Sequence, residues 1–364
     1  MKAARPLTIG FAIPGDLSTP TGGYRYDRMV MDGLGEFGIK VIHIPLSAQY
    51  PTPDPATRQA TARLINNAAV DLWLVDGLAF GAFDPVELSA LKGPVIALVH
   101  HALCDETGLD QAVAGAFRES EKKALAITEA VIVTSEQTSE RICHLFGLEA
   151  AMVHVAVPGV MMPVLTDDRP SPTLRLLCVG SISQRKGYDL LIAALAPLQG
   201  QAWQLGIAGR LDDQDATRHL RQLIDNNGLA EQITLYGPLM DEELESMWAR
   251  HDALLFPSRY EGYGMVLTEA LAHGLPVLCS DQVPAAEGMP APAVLQLGVE
   301  DRQEWTRQIS RWLELPELVS TAKHSARKTA RLLPQWRDTT AKIANIIDSA
   351  YVSWHNPMIK APNG

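Results

Sequence analysis

Apolar residues along the chain follow two alternating patterns. Short apolar runs, which predict buried parallel strands, are separated by stretches in which apolar residues recur at helical spacing. The strands predicted in the first half are 7–13, 39–44, 71–75, 94–99, 130–134 and 152–157. Those predicted in the second half are 174–179, 203–208, 232–236, 253–256 and 277–279. Strands that alternate with helices in this way predict an α/β fold with parallel sheets.

The two series are separated by the stretch MMPVLTDDRPSPT at 161–173, which holds three prolines and has no hydrophobic period. Such a stretch is typical of a domain boundary. We therefore expect two Rossmann-like domains, an N-terminal one over 1–165 and a C-terminal one over 174–335. A final helix after Pro334, at 336–356, caps its own domain or packs on the first one.

Composition narrows the class of protein. The chain has 364 residues, of which 47% are hydrophobic and 20% charged, so two sizeable cores can form. The net charge of −11 argues against nucleic acid as a partner. No apolar run is long enough to cross a membrane, although peripheral membrane contact stays open. The four cysteines show no paired spacing, and Pro14 and Gly15 interrupt the first apolar run, so we expect a cytoplasmic protein.

The most informative stretch is RYEGYGMVLTEALAHGLPV at 259–277. It follows a short apolar strand, opens with a loop containing Gly262 and Gly264, and continues as a helix that ends at Gly274. A strand, a glycine loop and a helix in this order direct free backbone N–H groups and the positive end of the helix dipole outward. The stretch therefore predicts an anion site.

Two acids flank this predicted site, Glu261 in the loop and Glu269 about one turn into the helix. Carboxylates beside an anion are expected to accept hydrogen bonds from neighbouring hydroxyls instead of touching the anion. Phosphate next to hydroxyls indicates a nucleotide-sugar. The alternative is that Glu261 is a solvated loop acid and Glu269 an acid favoured by the helix dipole.

Two further loops carry candidate groups. Gly22 and Gly23 follow the first strand and would let the backbone approach a ligand closely, unless they form a plain strand-to-helix turn. Arg185 and Lys186 follow the strand 174–179 and could neutralise charge on a departing diphosphate, unless they are simply solvated.

His100 and His101 close the predicted strand 94–99, at the edge where side chains of a parallel sheet enter a binding site. A neutral imidazole at that edge can orient or deprotonate a hydroxyl, or contact a sugar. A lone histidine is more often structural, and His101 remains open between the two interpretations.

Two further motifs would suggest other functions, but their positions relative to the predicted strands and helices do not support them. The GxGxxG at Gly33, Gly35 and Gly38 is preceded by a helix and followed by a strand, the reverse of the dinucleotide fingerprint, and we interpret it as a helix end. The DxD at Asp213 and Asp215 lies in a polar loop after a strand, where acids are usually solvated.

The pattern PSxxEGxGxxxxEAxAxGxPV is matched from Pro257 to Val277 and resembles the two-glutamate motif of the retaining GT-B glycosyltransferases usually numbered family 4. The resemblance implies that Glu261 lies near the transferred sugar and that Glu269 holds the ribose of the donor. It also implies that the donor diphosphate rests on the residues Gly262, Tyr263, Gly264, Met265 and Val266.

Other segments also resemble this family. Gly22 and Gly23 match its N-terminal glycine pair, which faces the donor diphosphate, and His100 matches its strand-end histidine. Lys186 matches the lysine of its VGRxxxxKG segment, whereas Ser181 stands where most members have arginine. Arg185 could take over that missing charge. The family also implies a GT-B fold and a final helix that returns to the first domain.

From the resemblance we expect a metal-independent hexosyltransferase in which His100, Glu261 and Lys186 are catalytic. Its donor would be a UDP-, GDP- or ADP-sugar, its acceptor a hydroxyl of a glycan, lipid or small molecule, and no cofactor or metal would be needed. Two alternatives stay open: a nucleotide-sugar epimerase of the same architecture, and a catalytically silent nucleotide-sugar-binding subunit.

Overall fold

The computed structural model describes residues 6–106, 108–164, 171–211 and 213–356. The chain forms two compact units: residues 1–159 with 334–364 make unit 1, and residues 160–333 make unit 2. The break therefore comes before the proline-rich stretch 161–173, because Val160 is already buried in a core of unit 2. Residues 165–170 of that stretch lie outside the described residues.

Unit 1 contains a six-stranded parallel sheet with the strand order β2-β1-β3-β4-β5-β6. Its strands are β1 (Thr8–Pro14), β2 (Lys40–Leu46), β3 (Leu72–Asp76), β4 (Val95–Val99), β5 (Ala130–Val133) and β6 (Val153–Val155). Its first six helices are α1 (Gly22–Leu34), α2 (Pro55–Asn67), α3 (Gly77–Phe80), α4 (Pro85–Leu88), α5 (Gln111–Leu125) and α6 (Glu136–Phe146). The strands β3, β4 and β5 are buried along their whole length, as their continuous apolar runs predict.

Unit 2 contains a second six-stranded parallel sheet, with the order β12-β11-β10-β7-β8-β9. Its strands are β7 (Leu174–Val179), β8 (Trp203–Ala208), β9 (Ile233–Gly237), β10 (Ala253–Phe256), β11 (Val277–Ser280) and β12 (Val294–Leu297). Its helices are α7 (Tyr188–Leu195), α8 (Gln214–Asn226), α9 (Asp241–Arg250), α10 (Met265–Ala272), α11 (Arg302–Glu314) and α12 (Pro316–Ala330). Only β12 was not predicted, because it is a four-residue edge strand interrupted by Gln296.

The last helix, α13 (Trp336–His355), belongs to unit 1, where it packs against α1. Trp336 contacts the ring of Tyr26 edge-on, with ring centroids 5.6 Å apart. The hydroxyl of Thr339 donates to the carbonyl of Val157 at 2.8 Å. The apolar spacing of the sequence left open which of the two domains this helix would cover, and these contacts place it on the first.

Each sheet has one point at which the strand order reverses. In unit 1 the chain passes from β1 to β2 on one side and continues with β3 on the other, and in unit 2 it passes from β7 through β8 and β9 before β10 returns beside β7. Loops that follow the two central strands leave toward opposite faces, which opens a crevice at the carboxyl edge.

The parallel α/β fold expected from the sequence is confirmed in both units. The interpretation of Gly33, Gly35 and Gly38 as a helix end is also confirmed, since α1 stops at Leu34 and Gly38 adopts a left-handed φ of 76°. Across the described ranges, no helix combines the length and the apolar character that a membrane span requires.

Candidate functional site

The strand, glycine loop and helix predicted at 253–273 are formed by β10, the loop 257–264 and α10. Gly264 precedes the helix with a φ of +101°, and a Cβ at this position would lie 2.7 Å from Val283 and 3.3 Å from Phe256. Both the backbone conformation and the close packing therefore require glycine. Gly264 offers no side chain as a cap, and the N–H of Leu267 donates to the Gly264 carbonyl at 2.9 Å. Within the described residues, the N–H groups of Met265 and Val266 are therefore the first-turn groups that can face an anion.

The loop after β7 lies against the loop after β10, because these two strands are neighbours in the sheet. Gly187 ends the turn Gln184–Lys186 with a φ of +67°, and a Cβ there would lie only 2.1 Å from the carbonyl oxygen of Pro257. The backbone N–H of Arg259 donates to the carbonyl of Arg185 at 2.7 Å. The two loops are thus held together by backbone contacts.

Arg185, Lys186 and Glu261 form an ionic cluster at this junction. Lys186 Nζ lies 2.5 Å from Glu261 Oε1, and Arg185 Nη1 lies 3.3 Å from Glu261 Oε2. Arg185 Nη1 also donates to the carbonyl of Tyr260 at 2.8 Å. Lys186 Nζ also lies over the ring of Phe256, 5.2 Å from its centroid, and this cation–π interaction stabilises the ammonium group.

The cluster is largely removed from water, and this determines its ionisation. Burial raises the pKa of Glu261, but the charges of Lys186 and Arg185 outweigh burial and hold the pKa below its usual range. Burial lowers the pKa of Lys186, against the opposing effect of Glu261 and with a smaller contribution from Arg185. Glu261 is therefore an ionised carboxylate that shares its charge between two cations.

Arg259 supports the cluster from the outside, and the sequence analysis missed this role. Its guanidinium pairs with Asp189 at 2.7 Å and 2.9 Å and with Glu300 at 2.8 Å, and it donates to the carbonyl of Gln184 at 3.0 Å. The arginine thereby ties the loop after β10 to the start of α7. The signal was present in the sequence as an arginine next to the motif, but its partners are 41 to 75 residues away.

The remaining predicted residues of unit 2 lie along the same loop and helix. Gly262 and Tyr263 are partly buried in the loop, and Met265 and Val266 form the first turn of α10. Burial raises the pKa of the Tyr263 phenol to about 12, so it remains a neutral hydroxyl. Glu269 is partly buried in the second turn, where its carbonyl accepts from the N–H of His273 at 3.1 Å.

Unit 1 contains a second cluster, built around His100 at the end of β4. His100 Nε2 lies 3.2 Å from Asp27 Oδ1 on α1 and 3.6 Å from Asp76 Oδ2 at the end of β3. Gly23 lies against the ring, since a Cβ at Gly23 would be 3.3 Å from Cδ2 of the imidazole. Gly22 is the exposed first residue of the same helix. The structure thus brings Gly22, Gly23 and His100 to one edge of the unit 1 sheet.

Asp27 and Asp76 were not predicted from the sequence. Asp76 ends a buried strand just as His100 does, and this placement was the available signal. Burial raises the pKa of Asp76 to about 7, with a further contribution from the charge of Asp27. Burial lowers the pKa of His100, but the negative charge of Asp27 and its hydrogen bond outweigh burial and raise the pKa overall.

These three side chains are also the candidate metal group within the described part of the chain, because one donor atom from each lies within 4.8 Å of the others. The separation of Nε2 from Asp27 Oδ1 is, however, an ordinary hydrogen-bond distance. We therefore interpret the group as hydrogen-bonded, with a proton between His100 and Asp27.

The other candidate acids and the second histidine have local roles. Asp213 caps α8 by accepting from the N–H of Ala216 at 2.9 Å, and the exposed Asp215 pairs with Arg218 at 2.8 Å. Both acids are exposed, as the interpretation of this DxD as solvated predicts, but they lie at the start of α8 and not in a loop. His101 Nε2 lies 3.1 Å from Glu106 on the surface.

Comparison with known proteins gives consistent results. Residues 168–329 match the family model described as "Glycosyl transferases group 1". A D-inositol 3-phosphate glycosyltransferase of Xylanimonas cellulosilytica is 26% identical over 44% of this chain, and the match spans only 42% of that relative's length. The MMP alpha-(1->4)-mannosyltransferase of Mycolicibacterium hassiacum is 23% identical over 84% of this chain and 77% of its own length.

Among solved structures, Anabaena HepE in complex with UDP and glucose superposes with a TM-score of 0.78 at 17% identity. The match covers 94% of this chain and 100% of that one, and it shows a shared fold. Residues 168–329 are therefore similar to glycosyl transferases of group 1, and the chain shares its fold with a solved GT-B protein of that kind.

Proposed function

We propose that the chain is a retaining GT-B glycosyltransferase of family 4 that transfers a hexose from a nucleotide-diphosphate sugar to a hydroxyl acceptor. The observation that carries this proposal is the ionic cluster of Arg185, Lys186 and Glu261 beside the start of α10. Two cations and a helix N-terminus at one carboxyl edge make a local anion site in a chain whose net charge is −11.

In this proposal the donor diphosphate lies on the loop 262–266 and on the first-turn N–H groups of α10. Lys186 and Arg185 neutralise the charge that develops on the departing diphosphate, so that it leaves at lower energy. Arg185 thereby supplies the cation that the resembling VGRxxxxKG motif has at the position of Ser181. Because two side-chain cations and the helix dipole provide the positive charge, we propose that transfer requires no divalent metal.

Glu261 and Glu269 are assigned to the hydroxyl groups of the donor. Glu261 is an ionised acceptor, held in place by Lys186, and is suited to bind hydroxyls of the transferred sugar. Glu269 lies in the second turn of α10 and is assigned to the ribose. Retention of the anomeric configuration is proposed from the family motif and would be tested by the anomeric NMR signal of the product.

In unit 1, Gly22 and Gly23 are proposed to approach the donor diphosphate through their backbone, and His100 to meet the sugar or the acceptor. This proposal is supported by the position of the glycines and the imidazole at the same sheet edge. We propose a cytoplasmic location, with which the four unpaired cysteines are consistent.

A donor screen tests the proposal. The purified chain is heated with UDP-, GDP- and ADP-hexoses, and the donor that raises its unfolding temperature is then incubated with hydroxyl acceptors and analysed by mass spectrometry. Loss of a charged hydrogen bond in Lys186→Ala should weaken donor binding roughly 10- to 100-fold. Lys328→Ala, which removes an exposed lysine of α12, is the matched control and should bind as the native chain does.

The products separate the alternatives. A glycosylated acceptor with the donor's sugar supports transfer, whereas a rearranged free sugar or nucleotide-sugar indicates an epimerase. Donor binding without any product indicates a binding subunit. Donor binding that is equally strong in Lys186→Ala and in the native chain would refute the assignment of the anion site.

A further inference from the structure

The imidazole of His100 is fixed by unit 1 on three sides. The ring lies against Gly23, makes an edge-on contact with Tyr26 at a centroid distance of 5.4 Å, and directs Nε2 toward Asp27. Asp76 approaches the same nitrogen from the end of β3. A ring packed in this way has one orientation available to it.

His100 and its two acids differ in their exposure to solvent. The side chain of His100 is 22% exposed, whereas those of Asp27 and Asp76 are 0% and 4% exposed. A sugar or phosphate can therefore touch the imidazole but cannot reach the carboxylate of Asp27. Any effect of Asp27 on a ligand must act through His100.

The geometry also determines which nitrogen carries the proton. Both carboxylates face Nε2, and a carboxylate at 3.2 Å requires a donor at that position. Within the described residues, Nδ1 of His100 has no hydrogen-bond partner, and the second oxygen of Asp27 is buried without one. Because His100 Nε2 is the hydrogen-bond partner of the buried Asp27 carboxylate, a proton on Nε2 is strongly favoured.

We propose that Asp27 is a positioning residue that accepts the Nε2 proton of His100, fixes the ring, and leaves Nδ1 as the atom that meets the ligand. This inference rests on the proposed function, in which His100 contacts the sugar or the acceptor. It gives Asp27, a buried acid of α1, a role in the site. From the sequence, the site in unit 1 was predicted to consist only of strand-end residues and a glycine loop.

The charges around the ring determine the state of Nδ1. The groups that face His100 are Asp27 and Tyr26 on α1 and Asp76 on β3, while His43 on β2 lies near Asp27. Burial keeps Tyr26 a neutral phenol and lowers the pKa of His43, so neither adds charge at neutral pH. Neither acid pairs with lysine or arginine in the parts of the chain that the structure describes.

Asp27, with a smaller contribution from Asp76, therefore stabilises the imidazolium form, in which Nδ1 donates a hydrogen bond. The ligand atom that it fits is an oxygen acceptor, such as a sugar hydroxyl oxygen or a phosphate oxygen. Because the pKa of His100 is raised, this form is present below that pKa and is lost as pH rises through it. Activity that depends on it should have an alkaline limb at the pKa of His100.

The test uses Asp27→Asn, which conserves shape and removes the charge, and Asp32→Asn as the matched control on an exposed position of the same helix. Long-range ¹H–¹⁵N NMR of histidine-labelled, ligand-free protein is recorded over pH 5 to 9, with and without a chelator. The His100 signals are assigned by their loss in His100→Gln. The spectra report the tautomer and the pKa of His100 without any need for activity.

We expect the Nε2–H tautomer in the native chain and in Asp32→Asn. In Asp27→Asn the pKa of His100 should fall by about one unit or more, and the alkaline limb of kcat/KM should move to lower pH by the same amount. An Nδ1–H tautomer, an unchanged pKa or limb in Asp27→Asn, or a spectrum that changes when a chelator removes a bound cation would overturn the inference. Absence of any transfer by the native chain, with the NMR results as expected, would refute the proposed function and leave the placement of the ring intact.

Discussion

Replacing Glu261 by glutamine should change stability and nucleotide binding in opposite directions. The substitution keeps the shape of the side chain and removes the negative charge shared by Lys186 and Arg185. In the ligand-free protein these two cations then face each other without a counter-charge. In the complex, the diphosphate supplies the missing negative charge.

The magnitude follows from burial. Removing one partner of a fully buried ion pair costs about 3–5 kcal/mol. The side chains of Glu261 and Lys186 are 10% exposed and that of Arg185 is 23% exposed, so solvent screens part of the loss. We expect a decrease of about 2 kcal/mol in the free energy of unfolding, which is roughly 4–8 °C in unfolding temperature for a unit of this size.

The affinity for nucleotide should change in the opposite direction to the stability of the ligand-free protein. In the native chain the phosphate approaches a carboxylate of the same sign, whereas in Glu261→Gln that repulsion is gone. Affinity for the nucleoside diphosphate should therefore rise, by roughly tenfold if about 1.4 kcal/mol of repulsion is relieved. Sugar transfer should fall, because Glu261 no longer offers a charged acceptor to the sugar hydroxyls.

Thermal unfolding with increasing UDP, GDP or ADP measures both effects, and Glu231→Gln on an exposed loop serves as the control. The expected result is a lower unfolding temperature without nucleotide and a larger nucleotide-induced rise than in the native chain. A variant that is as stable as the native chain, or one that loses nucleotide stabilisation, would refute the interpretation of the cluster. General damage to the fold would instead lower both the unfolding temperature without nucleotide and the nucleotide-induced rise.

Two further predictions concern the scaffold. Gly187→Ala should cost about 3 kcal/mol, because left-handed strain is joined by a Cβ at 2.1 Å from the Pro257 carbonyl, whereas Gly200→Ala, with a φ of +76° and open space around it, should cost only about 1 kcal/mol in urea unfolding. Asp252→Asn should cost about 3 kcal/mol at pH 7, since Arg175 donates two side-chain hydrogen bonds of 2.9 Å to this buried carboxylate. Lys323 also donates to it at 2.8 Å, and despite burial the two cations lower the pKa of Asp252. Its contribution is therefore present above the unfolded pKa and lost as pH falls through the folded value. The difference between native and variant stabilities should shrink as pH falls past the ordinary aspartate value of 3.8 and vanish below the lowered folded pKa, in the same assay.

The sequence predicted eleven of the twelve strands in the two described sheets, because each of the eleven is a short segment rich in apolar residues. It could not predict that Lys186 touches Glu261. Those residues lie 75 positions apart, and they meet because β10 inserts beside β7 instead of extending the sheet beyond β9. Strand order is decided by packing between whole elements and leaves no mark in the spacing of apolar residues.

Asp27 was missed for a related reason. An acid inside an amphipathic helix is normally assigned to its solvent face, and the pattern of α1 gave no sign that Asp27 is fully buried. The role of Asp27 follows from the fold, because β4 places His100 against the inner face of α1. A search for acids one helical turn after a glycine pair such as Gly22 and Gly23 would have found it.

The reversal of strand order explains why both clusters lie where they do, and why they differ in charge. In unit 2 the loops after β7 and β10 meet at the reversal point, where they bring together two cations and one acid, a net positive site that suits an anion. In unit 1, α1 follows β1 and Asp76 ends β3, and the crevice between these strands holds two acids with one histidine. Such a group attracts protons and stabilises hydrogen-bond donors. The same topology therefore builds an anion site in one unit and a proton-holding site in the other, and the side chains after the two central strands decide which.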